Sequence, residues 1–293
     1  MDKLVELFCV VDDFCKEFLP RFEQHLLNLE GKQRKCKGLM SPSEIMTIVI
    51  HFHQSQYRHF KAYYQSVLQQ ELSPYFQNLL SYSRMVDVMQ SVMVPLVFFI
   101  QSQSKTKTGI YFIDSTTISV CHVKRANRNK VFKGLAKKSK STMGWYFGFK
   151  LHLIINDKGE IMAFKITSST TDDRKPVPDL TKGLIGKICG DKGYISQPLF
   201  NELFAKGLQL ITRLKKNMKN KIMPMFDKLL LRKRALIETV NDQLKNISQI
   251  EHSRHRSVNN FFVNLLAGIA AYAIKPNKPC LNIRNHKNTL FVL

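Results

Sequence analysis

Acidic residues are scarce in this chain: 22 Asp and Glu stand against 45 Lys and Arg, for a net charge of +23. Lys124 to Lys140 holds eight basic residues and no acid, and Lys206 to Arg234 holds ten against Asp227 alone. Clustered positive fields of this kind attract polyanions, nucleic acid above all. A membrane surface is a poorer partner, because no basic amphipathic helix is recognisable. Long apolar runs are missing as well. Val92 to Ile100 and Phe261 to Ile274 are the longest, and Pro95 and Asn264 interrupt them, so no transmembrane span is expected. Met1-Asp2-Lys3-Leu4-Val5-Glu6 lacks a basic region followed by an apolar one, so no signal peptide is expected. The six cysteines form no Cys-x-x-Cys pair and read as reduced, mostly buried thiols of a cytoplasmic protein. His51-x-His53 and His252-x-x-His255 have no cysteine or carboxylate partner at a zinc-binding spacing, so zinc is not expected.

What is present suffices for one large domain or two ordinary ones, with 293 residues at 44% hydrophobic. The chain is organised around Gly109-Ile110-Tyr111-Phe112-Ile113-Asp114-Ser115-Thr116, an apolar, β-branched and aromatic run ending in a carboxylate. It reads as a central strand whose end carries Asp114, a good first ligand for a hard metal ion, or else an acceptor for the turn that follows. Lys187-Ile188-Cys189-Gly190-Asp191-Lys192-Gly193-Tyr194 reads as a short strand ending in Asp191, with glycines on either side that permit close approach, or as a surface turn. A helix from about Asp227 to Ile247 has Leu230, Ile237, Val240, Leu244 and Ile247 as its apolar stripe. Beside that stripe lie Leu231, Arg234, Glu238, Asn241 and Lys245. Arg234 and Glu238 alone would be an ordinary i, i+4 salt bridge.

Taken in order, residues 1–104 read as a helical domain, with Ser41-Pro42-Ser43-Glu44 as a capped helix start. A last apolar helix, Met85 to Ile100, is expected to kink at Pro95. Arg58, His59 and Lys61 suit a helix-turn-helix reader of DNA ends, and a plain helical packing or dimerisation domain fits the same pattern. After the polar linker Gln101 to Thr108, residues 105–275 read as an α/β domain with a mixed sheet, and 276–293 as an extended tail. Within the α/β domain Ile118 to His122 looks like the antiparallel neighbour of the central strand. Gly144 to Ile155 and Glu160 to Thr167 look like a hairpin turning at Asn156-Asp157-Lys158-Gly159. The basic segment 124–143 is expected to be a loop that lies along phosphates, and the sole tryptophan, Trp145, to pack on its strand rather than stack on a base. The basic clusters nominate Lys124, Arg125, Lys137, Lys138, Lys150, Lys192, Arg213, Lys215, Lys216, Arg254 and Arg256 as DNA contacts.

Three carboxylates from a strand, a later strand end and a late helix are the donor set that two Mg²⁺ or Mn²⁺ ions need. Brought together without metal, their repulsion must raise at least one pKa. The strand ending in Asp114, the Gly-Asp-Lys-Gly-Tyr at 190–194 and Arg234-x-x-x-Glu238-x-x-x-x-x-x-Lys245 resemble the DDE transposases of bacterial insertion sequences. Trp145 to His152 and Glu251 to Ser257 resemble the insertion-sequence family numbered nine-eighty-two. The resemblance implies an RNase H-like α/β catalytic domain, with Asp114, Asp191 and Glu238 as catalytic metal ligands. It also implies Arg234 and Lys245 as contacts to the terminal phosphates and bases of the element. Double-stranded DNA is the implied partner, as terminal inverted repeats and target, near the bacterial nucleoid; because the reaction must hold two ends together, a homodimer is expected on synapsis. Asp172 and Asp173 read as structural neighbours of the site. The related signature has Tyr three residues before its Arg, where this chain has Leu231. Two rival readings are a metal-dependent nuclease without strand transfer and an inactive DNA-binding relic.

Overall fold

The computed structural model describes residues 3–30, 38–103, 105–214, 222–251 and 255–281. In chain order come helices α1 (Lys3–Glu30), α2 (Pro42–Gln54), α3 (Phe60–Tyr63), α4 (Tyr82–Val88) and α5 (Met93–Ser102). Strands β1 (Ile110–Cys121), β2 (Lys137–Ser141), β3 (Gly144–Asn156) and β4 (Ile161–Ser168) follow. Then come α6 (Val177–Leu180), β5 (Gly186–Gly190), α7 (Gln197–Ala205) and β6 (Leu208–Thr212). Helices α8 (Met225–Lys233), α9 (Ala235–Asp242) and α10 (Val258–Ala273) complete the chain. It divides into two compact units, Met1–Gln103 with Leu244–Ile274, and Ser104–Gln243 with Lys275–Leu293.

Among the described residues the first unit holds helices and no strand. The capping box at Ser41 forms as its sequence dictates: the Glu44 N–H donates to the Ser41 hydroxyl at 3.2 Å, and Glu44 Oε2 accepts from the Ser41 N–H at 2.7 Å. The expected helix from Met85 to Ile100 is instead two, α4 and α5, joined by a 3₁₀ turn at Met89–Val92. Pro95 falls in the first turn of α5, where a helix needs no N–H from it, so the break precedes the proline. By length and composition Tyr82–Ser102 is apolar enough to cross a membrane, with a mean hydropathy of 1.5. Leu96, Phe99 and Ile100 are nonetheless fully buried within the unit, where α5 packs on α10. Arg58 and His59 are exposed between α2 and α3, and Lys61 is exposed on α3. Helix α10, assigned on sequence to the sheet domain, packs on α2 and α5 because it is apolar on almost every side and needs helical partners all round. Among the described residues five cysteines are free; Cys15 and Cys189 are buried, while Cys9 and Cys280 are exposed, against the expectation of mostly buried thiols.

The second unit is a mixed six-stranded sheet in the order β2-β3-β1-β5-β6, with β4 on the same edge of β3 as β2. β1 pairs antiparallel with β3 and parallel with β5, and β5 runs parallel to β6. Ile118 to His122 is not a separate neighbouring strand. β1 runs unbroken through Asp114 for 12 residues, because Thr116, Thr117 and Ile118 are β-branched and Ser115 to Ile118 pairs with Phe149 to His152 instead of turning. The hairpin of β3 and β4 turns where expected. Asn156 accepts from the N–H groups of Lys158 and Glu160 at 3.0 and 2.9 Å, and Gly159 takes φ of +70°. Segment 124–143 is only partly loop: a 3₁₀ turn fills Val123–Arg128, and Lys137–Ser141 forms β2, an edge strand kept soluble by lysines. Trp145 does not pack on its strand; it is 64% exposed.

Alternation along β1 sorts its two faces. Tyr111 and Ile113 join Ile188, Leu199, Leu203 and Leu210 in a core covered by α6 and α7. The intervening residues, Phe112 and Asp114, therefore face the other layer, where α9 packs on β1 and α8 packs on β5 and β6. Asp227 at the start of α8 is buried and accepts from Lys187 of β5 at 2.5 Å, which ties the late helices to the strand that leads to Asp191.

Candidate active site

Strand register brings two of the three carboxylates together. Ile110, Tyr111 and Phe112 pair with Lys187, Ile188 and Cys189. Asp114 follows Phe112 by two residues and Asp191 follows Cys189 by two, so the two carboxylates leave neighbouring strands near the same point, close enough for the Asp191 charge to act on Asp114. The β1–β5 pairing ends at Phe112, so both carboxylates lie just past its last rung. Asp114 is therefore not at a strand end, as its sequence suggested, but where a long strand outruns its parallel neighbour. Asp191 caps the 3₁₀ turn Lys192–Tyr194, accepting from the Gly193 N–H at 2.9 Å. The flanking glycines answer to local packing. A Cβ at Gly190 would stand 2.9 Å from the Tyr194 ring, and one at Gly193 would stand 3.0 Å from the Asp191 carboxylate.

Helix α9 and the break before it supply the third carboxylate together with two groups that engage Asp114. Arg234, in the break between α8 and α9, reaches Asp114 at 3.7 Å with Nη1 and pairs with Glu238 through Nη2. Asn241 donates from Nδ2 to Asp114 at 3.1 Å. Sequence reading set Asn241 on the correct helix face but gave it no role; its spacing of three from Glu238 and seven from Arg234 was the available signal. Asp191, Lys192, Arg213, Leu231, Arg234 and Glu238 line one pocket of about 400 Å³, together with Arg232, which the sequence did not single out. Leu231 is buried there, so an apolar wall stands where the related signature has a phenol.

Burial pushes the Asp114 carboxyl up to about 6; the Arg234 charge opposes the rise, and the charges of Asp191 and Glu238 add to it. Repulsion among the carboxylates thus acts in the expected direction, but desolvation outweighs it. Among the described residues no three His, Cys, Asp or Glu side chains stand close enough to enclose a metal ion. A guanidinium lies between Asp114 and Glu238 instead, and its Nη1 is buried without a hydrogen bond. The donor set is all oxygen and acidic, and a cation already bridges two of its members, so the chemistry of these residues fits a hard divalent ion.

The remaining nominated contacts fall in several places. Lys124, Arg125, Lys137, Lys138, Lys192 and Arg213 are exposed in the sheet unit, and Arg256 is exposed in the helical one. Lys150 is half-buried and engaged with Asp173 and the Thr171 carbonyl, both at 2.9 Å, which removes it from any open surface. Asp172 is held well below the usual carboxylate range by Arg174, so both loop aspartates have structural partners. Lys245 belongs to the helical unit, where it pairs with Glu251 at 3.2 Å. The helix does not run evenly to it: a π-turn takes over at Gln243–Ile247 and leaves Ile247 exposed, off the apolar stripe. Lys215, Lys216 and Arg254 lie outside the described residues.

A family profile described as the transposase DDE domain matches residues 104–258, more than half of the sequence. The chain belongs to the DDE-domain transposases. It is thus a transposase of that enzyme class. Its structure is similar to that of the piggyBac transposase in a synaptic complex with hairpin DNA, with a TM-score of 0.51 at 11% identity, over 94% of this chain and 75% of that one. That likeness carries the RNase H-like fold: a mixed sheet, antiparallel then parallel, with helices on both faces. The Mos1 transposase in its strand transfer complex also matches, at 9% identity and a TM-score of 0.25, over 89% of this chain and 84% of that one. No curated protein matches the sequence.

Two buried histidines and one half-buried one make the stability of this transposase depend on pH. Burial lowers His53, His152 and His255 to about 4. An unfolded histidine takes its proton near 6.5, whereas these take it only near 4, so acidification through that window favours the unfolded chain. Asp114 runs the other way: its native carboxyl takes a proton near 6, before the unfolded one does, which stabilises the fold as pH falls. Three groups oppose one. The thermal midpoint in EDTA is expected to fall between pH 6.5 and 4.5, and to fall further in Asp114→Asn. A midpoint that rises across that window contradicts the assignment.

Proposed function

We propose that this transposase cuts the ends of an insertion sequence and joins the exposed 3′ hydroxyls to target DNA, with Asp114, Asp191 and Glu238 as metal ligands. The observation that carries the reading is Arg234, which engages both Asp114 and Glu238 and lines one basic pocket with Asp191 and Glu238. When bound, two Mg²⁺ or Mn²⁺ ions supply positive charge at the attacking and leaving oxygens of a phosphodiester. Asn241 orients the Asp114 carboxylate through its amide and holds one oxygen fixed. Arg234 neutralises the carboxylates before DNA arrives, and its guanidinium at the pocket wall then attracts a phosphate. Lys192, Arg213 and Arg232 line the pocket and hold the substrate backbone by charge, which makes binding salt-dependent. The partners are double-stranded terminal repeats and target DNA, and two copies of the chain hold two ends at synapsis. The helical unit, with Arg58, His59 and Lys61 exposed, binds the element end.

The test supplies the repeats flanking the native gene, a pre-cleaved end with a free 3′ hydroxyl, and a plasmid target. With Mg²⁺ the end is expected to be joined to the plasmid, and with Ca²⁺ only to be bound. Cutting without joining makes the protein a nuclease; binding without either makes it a relic.

A further inference from the structure

The hairpin of β2 and β3 carries the chain's only tryptophan out into solvent. Trp145 is 64% exposed, and Met143 near it at the turn is 98% exposed. Apolar side chains grouped on an edge hairpin contribute little to the fold and mark a contact surface. Their surroundings specify the partner. Lys140 is the cross-strand partner of Trp145, Lys138 lies diagonally on the same face, and both are exposed with Lys137. The sequence holds no Asp or Glu between Asp114 and Asp157, so no acid within this hairpin offsets the lysines. An aromatic face among uncompensated cations matches a base with its adjoining phosphates. A second copy of the chain is a poorer occupant, because two such hairpins repel.

We infer that Trp145 stacks on an unpaired DNA base while Lys138 and Lys140 hold the phosphates beside it. In a duplex each base face is covered by its neighbour, so a single projecting indole finds a free face only where a base is unpaired or turned out. Strand cutting at an element end produces such bases. The inference rests on the transposase reading for its DNA, but it assigns a separate surface.

The composition supplies the probe. Because Trp145 is the only tryptophan, emission excited at the red edge of the absorption band, beyond the reach of the tyrosines, reports this side chain alone. The chain is titrated in EDTA with a 16-nucleotide oligothymidylate and with a blunt duplex of equal length, following emission and anisotropy together. Oligothymidylate is expected to quench the emission and the duplex to leave it nearly unchanged at equal occupancy. Trp145→Ala should weaken oligothymidylate binding about tenfold and duplex binding less than about twofold, while Trp145→Phe keeps most of the affinity. Unchanged emission at saturating oligothymidylate, or equal losses on both DNAs in Trp145→Ala, overturns the inference. A spectral change on concentrating the protein without DNA assigns the patch to a second copy and overturns it as well. Failure to bind either DNA instead removes the transposase reading itself.

Discussion

Asp114→Asn is expected to abolish Mg²⁺-dependent end cleavage, with a fall of about 10³-fold or more, some 4 kcal/mol of transition-state stabilisation. DNA binding and fold should survive. The substitution keeps the size of the side chain and an oxygen that can accept from Asn241, and it removes the charge that Arg234 engages at 3.7 Å. It also removes a carboxyl that burial disfavours, so the variant should melt no lower than the parent at pH 8 in EDTA. The combination is diagnostic. A residue needed only for packing would lose stability and activity together, whereas a ligand loses activity and keeps, or gains, stability. Cleavage by Asp114→Asn within tenfold of the parent removes Asp114 from the chemistry.

Gly148→Ala is expected to destabilise the sheet unit by about 3 kcal/mol, seen as a drop in denaturant midpoint with little change in slope. The added Cβ would stand 1.9 Å from the Ile118 carbonyl oxygen, a backbone atom that no side-chain rotation relieves. Gly148 pairs with Ser119 at the point where β1 and β3 slip register, so glycine there lets the two backbones close up beside the bulge. Moving β1 to relieve the clash would disturb its pairing with β3, which runs from Tyr111 through Asp114 to Cys121. End cleavage should therefore fall with stability. A variant as stable as the parent would show that β1 and β3 do not approach this closely.

Much of this was legible in the sequence wherever a local rule had no competitor. The capping box at Ser41, the turn at Asn156 to Gly159 and the short strand before Asp191 each follow from residues within a few positions of one another. Errors arose where a distant partner decided. Ser115-Thr116-Thr117 resembles a turn in isolation, but pairing with β3 keeps it extended. Helix α10 reads as any buried helix, and nothing in its own residues names α2 and α5 as its neighbours. The π-turn after Asp242 shifts the helical frame, so a face drawn at 3.6 residues per turn no longer describes Lys245 and Ile247. For the site itself, the residue types and their elements were readable. The placement of Arg234 between two of the carboxylates, and the amide of Asn241 on Asp114, depend on rotamers that no spacing encodes.

The central claim is that Asp114, Asp191 and Glu238 serve one divalent site, and iron-mediated backbone cleavage tests it most directly. Fe²⁺ replaces Mg²⁺ in the DNA-bound protein, and ascorbate with peroxide then cuts the chain next to the bound ion. The account predicts three sets of fragment ends, near residues 114, 191 and 238, all suppressed by excess Mg²⁺ and all lost in Asp191→Asn. Cuts confined to one of the three segments, or cuts that excess Mg²⁺ leaves unchanged, would contradict it.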